Sequence, residues 1–196
     1  MNPLLPASAQ KNLILASSSP RRAAILKNLQ LDFETVPAEA GAEASVAADG
    51  AEELAVALAR SKAADVAAKH RDAIVIGADT VVVVDGDVMG KPVGAVEAAE
   101  FLSKLSGRTH TVVTGVAVRR ESDGVEHFGR EATRVRFRDL SADEIDAYVR
   151  SGEPDDKAGA YAIQGLGAAF VESIDGCYYN VVGLPVVLLF DLLKRV

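Results

Sequence analysis

Cysteine occurs once in this chain, at Cys177, and only 5% of its 196 residues are aromatic. A single thiol excludes an intramolecular disulfide, which fits a reducing compartment and leads us to expect a cytoplasmic protein. Long apolar runs are also missing. The longest, Val181 to Phe190, contains Gly183 and Pro185 and falls well short of the roughly 20 residues a membrane helix needs. Residues 1–10 lack a basic stretch followed by an apolar core, so no secretory signal is expected. Positive charge is in deficit, with 21 Lys and Arg against 28 Asp and Glu and a net charge of −7. That balance argues against a broad nucleic-acid or anionic-membrane surface. There is no internal repeat either.

What is present is the composition of an ordinary globule, 49% hydrophobic and 25% charged. The length suits one domain, or two small lobes sharing a core. An apolar run, Leu13 to Ala16, meets Ser17-Ser18-Ser19, and Pro20 then opens a helical period through Ala23, Ile25, Leu26 and Leu29. This reads as strand, tight loop, helix, with Ser19 as N-cap and Pro20 in the first turn. Arg21 and Arg22 follow at the positive end of the helix dipole, where a cation is disfavoured by roughly 0.3–1 kcal/mol. An anion placed there reverses the sign, so serine hydroxyls, free N–H groups and two guanidiniums can cradle a phosphate. A solvated arginine pair on an exposed helix start is the competing reading.

Further along, Asp32 to Val36 reads as a strand and residues 37–50 as a loop carrying Glu39 and Glu43. Those carboxylates are either solubilising or ligands for a metal or a water. Ala51 to Lys69 reads as an alanine-rich helix in which Leu54, Leu58 and Lys62 share a row. Lys62 either snorkels from that stripe or points at an anion. The β-branched run Ile74 to Val84 is that of a central strand, and Gly77-Ala78-Asp79 interrupts its middle. A carboxylate in such a place must be wetted, paired or given a metal, and the small residues before it would let a ligand approach. Asp79 is thus the first candidate for chemistry.

Asp85-Gly86 predicts a hairpin turn leading to Gly90-Lys91-Pro92. The glycine spacing is one residue too short for a P-loop and proline stands where Ser or Thr is required, so only Lys91 is retained as a phosphate contact. Glu97 to Leu105 predicts a helix, Thr109 to Arg119 and Val125 to Phe137 two partnered strands, and Ser141 with Glu144 a capping box for a helix through Val149. His110, with no cysteine or second histidine nearby, reads as a hydrogen-bonding strand residue. In the polar run 155–167, Gln164 carries a donor and an acceptor on one amide and so suits a base edge. Ala168 to Ile174 predicts a strand and Leu184-Pro185 the start of a helix to Lys194.

Several segments together resemble the Maf family of nucleotide pyrophosphatases. They are Ser17-x-Ser19-Pro20-Arg21-Arg22, Ser61-Lys62-Ala63, Gly77-Ala78-Asp79-Thr80-Val81, Gly90-Lys91-Pro92, His110-x-Val112-x-Thr114-Gly115, Gly152-Glu153-Pro154-x-Asp156-Lys157-Ala158-Gly159-x-Tyr161, Ile163-Gln164-Gly165 and Asn180-Val181-Val182-Gly183-Leu184-Pro185. They run in order to the C-terminus. The resemblance implies one Maf-like domain over residues 1–196, an α/β fold with a long mixed sheet flanked by helices, and two lobes around a deep cleft, like the inosine triphosphate pyrophosphatases. It implies cleavage of a nucleoside triphosphate between the α- and β-phosphates with a divalent cation, Mg²⁺ or Mn²⁺. Asp79 matches the family's proton acceptor, and Arg21, Thr80 and Gln164 match positions associated with choice of base. Members acting on dTTP and UTP resemble this chain there. The branch acting on 7-methyl-GTP resembles Ser-Pro-Trp or Ser-Pro-Tyr, then Asp-Gln, and lacks the glutamine. The family often has an Asp-Glu pair after the second strand, where this chain reads Pro37 to Glu43. Glu43 is its candidate counterpart.

The expectation is therefore a dTTP/UTP pyrophosphatase in which Ser17, Ser19, Arg21, Arg22, Lys62 and Lys91 hold phosphates and Asp79 accepts a proton from water. Thr80 and Gln164 select the base, and Asp79 and Glu43 are the candidate metal ligands. A homodimer is implied by the resemblance alone. Two rivals stand beside this reading. One is a non-catalytic nucleotide-binding regulator of cell division using the same cradle. The other is a nucleic-acid-binding regulator, which the acidic charge disfavours.

Overall fold

A computed structural model describes residues 2–39, 41, 46 and 48–196. The chain forms strands β1 (Leu13–Leu15) and β2 (Phe33–Thr35) around helix α1 (Pro20–Asn28), then α2 (Ala51–Lys69), β3 (Ile74–Val84) and β4 (Asp87–Met89). Helix α3 (Gly94–Leu105), β5 (Thr109–Arg120), β6 (Val125–Phe137) and α4 (Ala142–Arg150) follow, and β7 (Val171–Asp175), α5 (Tyr178–Val182) and α6 (Val186–Leu193) complete it. The strands form one seven-stranded sheet of order β2-β1-β3-β5-β6-β7, with β4 paired to β3. It is mixed, as the α/β expectation requires: β1 runs parallel to β2 and β3, while β3/β4 and β6/β7 are antiparallel. No helix among the described residues is long and apolar enough to cross a membrane.

The chain divides into two compact units, Met1–Asp79 with Thr114–Glu131 and Gly183–Val196, and Thr80–Val113 with Ala132–Val182. In the first unit, β1 and β3 lie under α2, and Ile14, Ala16, Ala59, Ala63, Val66, Ala67, Val75 and Ala117 form a core of mostly small side chains. Small side chains are a geometric necessity there. A Cβ built on Gly77 would stand 2.2 Å from the Ala59 carbonyl oxygen, and one on Gly115 2.2 Å from that of Ala55. Two strand glycines thus let the α2 backbone rest on the sheet, and the helix face that meets them must be alanine.

Two expectations change as a result. The buried stripe of α2 is Ala55, Ala59, Ala63, Val66 and Ala67, while Leu54 and Leu58 are only half-buried. And it is a helix, not a ligand, that comes close to Gly77.

The second unit has a larger-grained core, in which Val82, Met89, Leu102, Leu105, Val112, Val135, Phe137, Ile145, Tyr148, Tyr161 and Phe170 gather. Full burial of a side chain such as Phe137 or Leu102 contributes about 1.5–3 kcal/mol. His110, 2% exposed, sits among these aromatics, its ring edge-on to Phe137 at 4.9 Å and to Tyr161 at 5.3 Å. Its Nε2 and the Tyr161 hydroxyl share a 2.7 Å hydrogen bond, which is the role read for it from the sequence. The hairpin after β3 turns on Asp85 and Gly86, both at positive φ, and the capping box at Ser141 and Glu144 has both of its bonds.

Boundaries move where local pattern is weak. Helix α3 begins at Gly94 rather than Glu97, because the Glu97 carboxylate accepts from the Val93 N–H and closes an extra first turn. Residues 165–170 form a 3₁₀ turn, so the last strand starts at Val171 instead of Ala168.

Candidate active site

The register of β1 on β3 pairs Leu15 with Ile76, and the Ala16 N–H donates to the Ile76 carbonyl at 2.8 Å. β1 therefore ends beside the third residue of β3, which runs on to Val84, and the carboxyl end of a parallel strand is where open α/β sheets bind ligands. Ser17 leaves β1 there. Its Oγ accepts from the Ser19 N–H at 3.2 Å and from Arg22 Nη1 at 3.1 Å. Ser19 is the N-cap of α1 with Pro20 in the first turn, but its hydroxyl makes no capping bond. Arg21 is half-buried in that turn.

Arg22 is buried, with Nε donating to the Gly183 carbonyl at 2.8 Å as well as Nη1 to Ser17. Arg22, expected from the sequence to hold a phosphate, ties the serine loop to the segment before α6.

Asp79 follows from the same register by period-two alternation. Gly77 faces α2, so Asp79, two residues on, faces α2 as well. Lys62, one residue before the buried Ala63, reaches it: Nζ stands 2.5 Å from Asp79 Oδ1, with both side chains 16% exposed. The pair satisfies the requirement that a carboxylate amid β-branched residues be matched by a charge. Close seating of α2 on Gly77 is what makes the contact possible, a link the sequence carries only as unexplained small residues.

The remaining candidates belong to the second unit. Thr80, next along β3, is half-buried and directed to the other face by alternation. Lys91 is exposed just after β4, where the Gly159 N–H donates to the Gly90 carbonyl at 3.0 Å. Gln164 is exposed too. The structure thus brings Lys62 to Asp79 and Arg22 to the serine loop.

Glu39 is held elsewhere: Lys69 Nζ binds its carboxylate at 2.7 Å, and its N–H donates to Asp65. Glu43 lies outside the described residues. Among the described residues no three His, Cys, Asp or Glu side chains gather as a metal cage. Magnesium, however, keeps most of its waters and binds through one or two carboxylates plus substrate phosphates, and Asp79 is a donor of that kind. The donor set fits a cation shared with a triphosphate.

The Maf-like protein profile matches residues 12–196. The chain belongs to the Maf family. Among Maf relatives, a dTTP/UTP pyrophosphatase of Pelotomaculum thermopropionicum is 50% identical over 185 residues, 94% of this chain and 96% of that protein. One from Symbiobacterium thermophilum is 52% identical over 176 residues, 89% of each. Another, from Thermococcus kodakarensis, is 49% identical over 191 residues, 93% of this chain and 100% of the relative. A solved nucleoside-triphosphatase / dITP/XTP pyrophosphatase of Mycobacterium abscessus matches 64% of this chain and 73% of its own at 19% identity and a TM-score of 0.41, below the level at which two folds are equated.

Proposed function

We propose that this Maf chain hydrolyses nucleoside triphosphates, dTTP and UTP foremost, to the monophosphate and pyrophosphate. The curated relatives named above support the reaction. The observation that carries it in this chain is the Lys62–Asp79 pair of 2.5 Å, midway along β3 and just past the carboxyl end of β1. Cleaving a phosphoanhydride requires charge to be neutralised on a polyanion and a water to be aligned and deprotonated. Asp79 takes the proton, and Lys62 turns from the carboxylate to a phosphate oxygen when substrate arrives. Arg21 and the N–H groups and hydroxyls of the Ser17–Ser19 loop hold further phosphate oxygens, Arg22 keeps that loop in place, and Lys91 adds another cation.

Thr80 and Gln164 read the base. A Mg²⁺ or Mn²⁺ held by Asp79 and the phosphates would neutralise charge on the leaving pyrophosphate. With one cysteine and soluble substrates, the protein is assigned to the cytoplasm.

The test is to incubate the pure protein with dTTP and Mg²⁺ and to measure pyrophosphate and orthophosphate separately. Pyrophosphate with dTMP is expected, whereas a non-catalytic nucleotide binder releases neither. Asp79→Asn should lower kcat by at least about a hundredfold in protein that circular dichroism shows to be folded, with a lower melting temperature because the Lys62 ammonium loses its carboxylate partner. Activity near wild type in that variant removes Asp79 from the chemistry.

A further inference from the structure

Gln164 is exposed, and an exposed amide selects a base only if its backbone is held. Two side chains bracket it. On its N-terminal side the Ala162 N–H donates to the Tyr148 hydroxyl at 3.3 Å. On its C-terminal side the N–H groups of Leu166 and Gly167 both donate to Glu153, at 3.0 Å to Oε2 and 3.0 Å to Oε1. Tyr148 then joins the brackets, its hydroxyl donating to Glu153 Oε1 at 2.9 Å.

The turn is shaped to that carboxylate. Gly165 sits at φ +79°, and a Cβ there would lie 2.6 Å from Glu153 Oε2, while a Cβ on Gly167 would lie 2.5 Å from the Ala162 carbonyl oxygen and 2.8 Å from the Tyr148 hydroxyl. Successive N–H groups closing on one anion form a nest, and here the anion is built in. Burial works against the charge on Glu153, yet the Gly167 and Leu166 N–H groups, the Tyr148 hydroxyl and the nearby Lys157 ammonium outweigh it and hold the carboxyl below its usual range. Glu153 is thus ionised at neutral pH and accepts without donating. Its other end is fixed as well, since Lys157 Nζ donates to its carbonyl at 2.5 Å.

We infer that Glu153 is a positioning residue for base selection, whose carboxylate sets the 165–167 turn and thereby the direction in which Gln164 offers its amide to the base of a pyrimidine nucleotide. This rests on the reading of Gln164 as a base contact. A glutamine at 153 keeps the size of the side chain but replaces one acceptor oxygen by an NH₂ donor facing a backbone N–H. The turn must then let go on one side.

The experiment measures kcat and KM for dTTP and dCTP in wild type, Gln164→Ala, Glu153→Gln and the double variant, with hydrogen exchange at the Leu166 and Gly167 amides. Gln164→Ala is expected to lower the dTTP:dCTP ratio of kcat/KM by about tenfold. Glu153→Gln should lower it several-fold in the same direction, more through KM than kcat, with faster exchange at those two amides and unchanged protection in β6. The double variant should match Gln164→Ala alone, because a residue acting through another adds nothing once that other is gone. An unchanged ratio in Glu153→Gln, or additive losses in the double variant, overturns the inference. Should Gln164→Ala itself leave the ratio unaltered, the base-contact reading falls and takes this inference with it, while the Asp79→Asn result still judges the hydrolysis separately. If Glu153→Gln does not fold, Tyr148→Phe removes one donor to the same carboxylate and should shift the ratio the same way by less; no shift there overturns the inference.

Discussion

Burial leaves His110 2% exposed and pushes its pKa down to about 4 from 6.5. Its Nε2 has the Tyr161 hydroxyl, whereas Nδ1 has no hydrogen-bond partner among the described residues. The groups packed on the ring, Phe137 and Tyr161, carry no charge: burial raises the Tyr161 pKa well above its ordinary value. The unfolded chain therefore binds a proton near pH 6.5 that the folded chain refuses until about pH 4. Stability from this residue is complete above pH 6.5 and is lost as the pH falls to 4, by about 3 kcal/mol in all. His110→Phe should flatten the fall in unfolding free energy between pH 7 and 4 in urea titrations. It should also cost about 1–3 kcal/mol at pH 7, because the Tyr161 hydroxyl loses its partner. A slope equal to that of wild type would show that other groups carry the acid sensitivity.

Among the elements, α2 decides most. Its bounds, Ala51 to Lys69, coincide with those read from the sequence, as do those of β3 and β6. Long runs of a single period leave little freedom in where they end. The facing of α2 was harder to read. Leu54 and Leu58 suggest one stripe, but the glycines at 77 and 115 select the alanine row, since only a backbone-close helix fills the space they leave. Gly77→Ala tests this directly: its Cβ meets the Ala59 carbonyl at 2.2 Å and Ala63 at 2.9 Å, so α2 must lift off the sheet. The variant should unfold about 2 kcal/mol or more below wild type. Any folded fraction should lose pyrophosphate release, because the lift carries Lys62 away from Asp79. Full activity at wild-type stability would mean the helix can slide without loss.

For the whole molecule, a net charge of −7 opposes the counterion release that drives non-specific DNA binding. Fluorescence anisotropy with duplex DNA at about 50 mM salt should show no salt-sensitive binding under conditions where dTTP is turned over. Such binding, lost on raising the salt, would favour the nucleic-acid regulator instead. Sequence alone determined a good deal: the mixed α/β order of strands and helices, the turn at Asp85-Gly86, the cap at Ser141, and the Maf motifs with Asp79 at their centre. These are local matters, governed by period, turn chemistry and the identity of short segments. Tertiary structure alone decided that Lys62 meets Asp79, that Arg22 braces Ser17 rather than standing open, and that Glu153 grips the turn beside Gln164. Lys62 and Asp79 are 17 residues apart, Glu153 and Leu166 13, and the brace at Arg22 reaches 161 residues to Gly183. Helix seating and the folding of loops onto buried charges set those contacts, and no local pattern encodes them.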